Sequence, residues 1–139
     1  MFRPYTVLAL RLGLGTVFLW SGVSKVIDLP GAIGVCTNRG EAIDFVSTLY
    51  WLPFDPEVFV RLQSVAEIAL GLLLVAGLWL TITAAASAVL FLLFFGLFNF
   101  NIIWKNLGLL AASIALLGFE PDRFSLDHYL KRREPGAGE

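Results

Sequence analysis

Charge is scarce in this chain. Only 15% of its 139 residues are charged, against about 25% in an average soluble domain. The net charge is -1, so there is no basic excess with which to hold nucleic acid. Cys36 is the single cysteine, which excludes an internal disulfide and any CxxC dithiol. His128 is the single histidine, so a bis-histidine haem cannot form within one chain. One cysteine and one distant histidine make neither a zinc nor an iron–sulfur site. A glycine-rich phosphate loop and a serine–histidine–acid set are missing as well. An autonomous enzyme is therefore not expected, and no catalytic or metal-binding residue is assigned.

Apolar residues fill the space that charge leaves. They make up 58% of the chain, and the mean hydropathy is +0.79. The pattern predicts an all-α integral membrane protein, a four-transmembrane-helix bundle forming one domain over residues 1–133. The first span covers about 5–27. It carries Arg11 and ends without an A-x-A site, which marks a retained span rather than a cleaved leader. Asp55-Pro56-Glu57 reads as an N-cap, a proline at the first helical position and an acid in the first turn. The apolar run that follows reaches Phe98, roughly twice the ~20 residues of one crossing. It must turn back near Gly77–Thr83, which gives helices of about 58–79 and 82–99. A fourth runs over about 103–119.

Residues 28–57 form the one long connection. Ala42, Phe45, Val46, Leu49 and Tyr50 share a helical face opposite Glu41, Asp44 and Thr48. This predicts an interfacial helix over about 40–51, or equally a compact cap over the bundle mouth. Ser125 is placed to cap a short helix over about 126–133, with its cations on anionic headgroups. Residues 134–139 are expected to be disordered. The basic residues Arg3, Arg123, Lys131, Arg132 and Arg133 outweigh Lys25, Arg39, Arg61 and Lys105, which favours cytoplasmic termini.

In the first span Arg11, Gly15, Phe18, Gly22 and Lys25 recur at alternating four- and three-residue steps. That spacing lays them along one helical face, and a face carrying charge must meet a partner helix rather than lipid. Gly15, Gly22 and, in the second span, Gly71 are expected at helix contacts. Glu67 is the only carboxylate deep in a span. At 1.5 Å per residue, Arg11 lies roughly 8 Å and Lys25 roughly 13 Å to opposite sides of it. Side chains lean toward their helix N-terminus, so Lys25 and Glu67 lean together while Arg11 leans away to snorkel. Ser21 and Gln63 complete a polar cluster at that depth.

Two readings of the cluster stand side by side. It is a structural ion pair that fixes helix register. Alternatively it borders a cavity for a quinone headgroup, where Lys25 and Gln63 donate to a carbonyl and Glu67 passes a proton. Phe91, Phe94, Phe95, Phe98 and Trp104 would then supply a surface for a ring or isoprenoid, or else plain lipid-facing packing. Lys105 is expected to snorkel at the outer surface. Cys36 reads as a small hydrophobe, or as a loop thiol available for cross-linking.

The chain resembles the DoxX family of small four-helix membrane proteins. Arg11-Leu-Gly-Leu-Gly15-Thr-Val-Phe18-Leu-Trp-Ser-Gly22-Val-Ser-Lys25 is similar to that family's first helix, and Glu67-Ile-Ala-Leu-Gly71-Leu-Leu-Leu74 to its second. Arg123-Phe-Ser-Leu-Asp127 is similar to its C-terminal ending, which marks Arg123, Ser125 and Asp127 as a cytoplasmic motif. The chain departs from the pattern at Thr81 and Thr83 and at Phe119-Glu120-Pro121-Asp122. The resemblance implies a multi-pass protein of a prokaryotic inner membrane, near redox systems such as thiosulfate–quinone oxidoreductases or the related methylamine-utilisation proteins. The expected function is a membrane subunit accompanying a quinone-linked redox complex. The alternative is a non-catalytic scaffold or assembly factor. Its partners would be the bilayer and other membrane subunits or further copies of itself. No intrinsic cofactor is expected beyond a quinone at the cluster.

Overall fold

In a computed structural model, which describes residues 3–37, 55–97 and 100–133, every element among these residues is an α-helix. The order is α1 (Arg3–Ile27), α2 (Leu29–Thr37), α3 (Pro56–Ala76), α4 (Leu80–Leu97), α5 (Phe100–Leu117) and α6 (Leu126–Arg133). The expected interfacial helix at 40–51 and the tail at 134–139 lie outside the described residues.

Helix α2 occupies the start of what reads in the sequence as a connection. Asp28 makes it possible. Its side chain accepts the Gly31 N–H at 3.0 Å and its carbonyl accepts the Ala32 N–H at 2.9 Å. Pro30 falls in the first turn, where its missing N–H has no intrahelical partner to lose. At α3, Asp55 is the N-cap, its side chain accepts the Glu57 N–H at 2.9 Å, and Pro56 opens the helix.

Helix α3 stops at Ala76, not at 79, because the chain closes a Schellman turn there. Leu78 N–H donates to the Leu73 carbonyl at 3.0 Å, and Gly77 N–H to the Leu74 carbonyl at 3.1 Å. Gly77 has φ 67°, a left-handed conformation that costs glycine nothing. Trp79 follows with φ 49°, unusual for a side chain of that bulk. Helix α4 then starts at Leu80, two residues earlier than the hydropathy suggests.

Helix α1 packs antiparallel along α3, and glycine sets how closely. A Cβ on Gly15 would sit 3.0 Å from the Gly71 carbonyl oxygen, and one on Gly71 would sit 2.9 Å from that of Gly15. Farther along the seam, a Cβ on Gly22 would meet the Ser64 carbonyl oxygen at 2.8 Å. Helices α4 and α5 form the second close pair. Leu14, Phe18, Leu74, Leu80, Ala84, Phe91 and Leu116 are buried where the pairs meet. The rings of Phe18 and Phe91 lie 5.0 Å apart there. Ser64, Ser87 and Ser113 are buried too, each donating to the carbonyl four residues back at 2.6–2.9 Å. Satisfied within their own helices, these hydroxyls serve as small packing groups.

Among the described residues two helices are long and apolar enough to cross a membrane, over Tyr5–Ile27 and Glu57–Ala76. The apolar stretches of α4 and α5, Leu80–Leu93 and Asn106–Leu117, are shorter. Large apolar side chains such as Trp20, Ile27, Leu62, Val65, Leu72 and Ile82 cover the outside.

The seam makes a direct prediction. Gly22→Leu must push α1 off the α3 backbone, whereas a Cβ on Gly13 would meet nothing within 4 Å. Gly22→Leu should therefore lower the melting temperature in detergent, measured by scanning fluorimetry, well beyond Gly13→Leu. Equal losses would mean that this face does not set the helix separation.

Candidate functional site

Both ends of the α1–α3 seam hold a buried charge, and the two are built differently. At the first, Arg11 is 2% exposed. Its Nε donates to Asp122 Oδ2 at 2.7 Å and its Nη2 to Asp122 Oδ1 at 3.4 Å. Nη1 donates to the carbonyls of Val75 at 2.6 Å and Leu74 at 3.2 Å, and Nη2 also to that of Phe124 at 3.1 Å. All five N–H groups of the guanidinium are thereby used. The expectation that Arg11 snorkels to headgroups is corrected here: its guanidinium is held inside the fold, apart from the Lys25 cluster. The last carbonyls of α3 have no intrahelical donors, and a cation at that end of a helix dipole is favourable. A buried carboxylate supplies the counter-charge.

Asp122 is the residue that the sequence reading missed. Its side chain is fully buried, and Oδ1 also accepts the Phe124 N–H at 2.8 Å. Its carbonyl accepts from both the N–H and the hydroxyl of Ser125, at 3.0 and 2.6 Å. Ser125 Oγ in turn accepts the His128 N–H at 3.2 Å at the start of α6. The signal was present in one form: a charged residue inside a span needs an opposite charge within reach. What the sequence does not carry is the distance, since 111 positions separate the two residues.

Asp127 completes the same end of the bundle. Its carboxylate accepts the Trp79 and Leu80 N–H groups, both at 2.8 Å, and so caps α4 from another element. This holds the left-handed Trp79 in place. Gly77 is doubly required, because a Cβ there would lie 2.6 Å from Arg11 Nη1 and 2.6 Å from Ser125 Cβ. Of the C-terminal motif residues, Ser125 and Asp127 thus act inside the fold, while Arg123 is exposed.

At the other end Lys25 Nζ lies 2.7 and 2.5 Å from the two Glu67 oxygens and 2.8 Å from Ser21 Oγ. Gln63 Nε2 donates to Glu67 Oε1 at 3.0 Å. The structure thus brings together Lys25, Glu67, Gln63 and Ser21. The Glu67 side chain is 3% exposed, but that of Lys25 is 21% exposed. The cluster therefore opens to its surroundings on the lysine side. Of the aromatic candidates, Phe91 is buried against Phe18. The side chains of Phe94, Phe95, Phe98, Trp104, Lys105 and Cys36 lie outside the described ones. No group of three or more potential metal ligands occurs among the described residues.

The family model of the methylamine utilisation protein MauE matches residues 3–109, most of the chain. No curated protein and no solved structure matches. The match overturns the resemblance to the DoxX family, which is a different family. The quoted motifs misled for a physical reason. Facing glycines with a cation on one helix and a carboxylate on the next are what any tight antiparallel pair with a buried charge requires. The matched residues include Arg11, Lys25, Glu67 and Gly77, and end before Asp122 and Asp127. Match and helices together make this a helical membrane protein.

Two predictions separate the ion pairs. Arg11→Met leaves a fully buried Asp122 unpaired, a loss of about 3–5 kcal/mol. Arg11→Lys keeps the charge but not the planar fork, so it should recover only part of that in a denaturation series. Recovery to wild-type stability would show that charge alone suffices there. At the other cluster, Lys25→Met alone should destabilise the protein more than Glu67→Gln. Lys25→Met with Glu67→Leu should regain much of the loss, because no lone charge remains. Strictly additive losses in that double-mutant cycle would rule out an interaction between the two side chains.

Proposed function

Because the chain belongs to the MauE family, we propose that it is a non-catalytic integral membrane subunit of a methylamine-utilising redox system. The observation that carries this reading is the family match over apolar helices whose buried charges neutralise each other within the chain. Every buried side-chain nitrogen and oxygen among the described residues has a partner, which suits a subunit that supports a neighbour.

The finer reading is a four-span bundle with both termini in the cytoplasm. Helices α4 and α5 have 18 residues each, or about 27 Å at ~1.5 Å per residue, enough for a bilayer core with little tilt. A second reading rests on the partial exposure of Lys25. There a quinone carbonyl would accept from Lys25, with Glu67 as the proton carrier.

Purification in mild detergent followed by mass spectrometry tests both. Redox proteins of methylamine oxidation should co-purify, and quinone should be absent or substoichiometric. Stoichiometric quinone that disappears in Lys25→Met would replace the structural reading with the ligand one. Labelling of a Ser47→Cys reporter from outside intact cells should succeed, since that residue lies between the first two spans. Labelling only after lysis reverses the orientation.

A further inference from the structure

We propose that α6 and the aromatic rim beside it form a docking surface for anionic phospholipid headgroups. This rests on the membrane reading above and goes beyond it by naming the lipid chemistry. Three observations carry it. The first is where α6 sits. Asp127 N–H donates to the Gly77 carbonyl at 3.2 Å and the Asp127 carboxylate holds the first turn of α4. Helix α6 is thus fastened at the level where α3 ends and α4 begins, the level at which spans meet water.

The second is the sorting of charge. The acids Asp122 and Asp127 are turned into the fold, on Arg11 and on the α4 terminus. Arg123 and Lys131 are exposed, and Arg132 and Arg133 close the same helix. Glu120 is the one exposed acid just before them. At the opposite end Lys25 and Arg61 are each paired, with Glu67 and Glu57. The third is the apolar rim. Tyr5, Trp79, Phe124 and Tyr129 are each more than half exposed, with Leu126 and Leu130 beside them. Tyr5 and Phe124 stand ring to ring at 6.0 Å. Amphipathic rings next to cations are what the boundary between acyl chains and anionic headgroups selects.

The test uses the full chain in detergent micelles supplemented with phosphatidylglycerol or, at equal acyl-chain length, phosphatidylcholine. Phosphatidylglycerol should raise the melting temperature by about 3–5 °C more than phosphatidylcholine does. Native mass spectrometry should show it retained preferentially. The difference should shrink as salt rises from about 0.1 M to about 1 M, where the screening length falls to about 3 Å. K131E/R132E/R133E should abolish the preference, and R61E at the other end should keep it. Equal effects of the two lipids overturn the proposal, as does a preference untouched by salt or by the triple variant. An equal shift from inorganic phosphate overturns it too, in favour of a soluble-anion site. Carbonate extraction of the expressed chain distinguishes the two failures. A chain washed off by carbonate refutes the membrane reading, whereas an inserted chain indifferent to phosphatidylglycerol refutes only this proposal.

Discussion

The guanidinium of Arg11 is the constraint on which one whole end of this protein depends. An arginine buried in an apolar bundle is tolerable only if every N–H finds an acceptor and an acid neutralises the charge. The chain meets this by drawing three other segments to one point: the last turn of α3, the turn at Gly77, and the stretch of backbone from Asp122 to Phe124. Each neighbour then inherits a restriction. Gly77 can carry no Cβ, the 122–125 segment must fold back on itself, and Asp127 is delivered to the start of α4. A left-handed Trp79 is held by the same carboxylate. Remove the cation, and Asp122 loses its counter-charge while the Val75 and Phe124 carbonyls lose the donors that draw them together.

The two ion pairs differ in what they contribute. Buried pairs offset desolvation with attraction, so their net effect on stability is often small, but they penalise every arrangement that separates the charges. Arg11 spreads that penalty over α1, α3 and the segment after α5 through a planar fork matched to a carboxylate. Lys25 applies it only between α1 and α3, with a single ammonium that also reaches Ser21. With both in place, α1 cannot slide or rotate along α3 without breaking one of them. The facing glycines fix the distance, and the charges fix the register.

This division also explains what was legible in the sequence. The stripe from Arg11 to Lys25 is local, and its spacing alone says that these residues share a helical face. Lean direction and depth suffice to point Lys25 at Glu67, because antiparallel neighbours can be aligned by counting. The same counting sends Arg11 toward the bilayer surface, since it has no information about what covers that surface. Asp122 is there only because the chain, after two further helices, returns over the α3 end. Helix α2 was hidden for a different reason: residues 28–57 read as one connection, and the first turn of α2 depends on the Asp28 side chain and carbonyl. The family was misread because packing motifs repeat wherever helices pack this closely.

The family match has a structural consequence at the same point. It covers Arg11 and both α3 carbonyls that bind it, but not the acid that neutralises it. Half of the cage therefore lies inside the matched stretch and half beyond it. An arginine fixed on α1 beside the end of α3 keeps two carbonyl acceptors whatever follows residue 109, because those belong to the helix itself. Two carbonyls carry only partial charge and leave three N–H groups unserved. A chain of this architecture with a different C-terminal segment must bring another acid to that place, open it to water, or borrow the acid from a neighbouring subunit. Here the chain supplies its own, from the segment between α5 and α6.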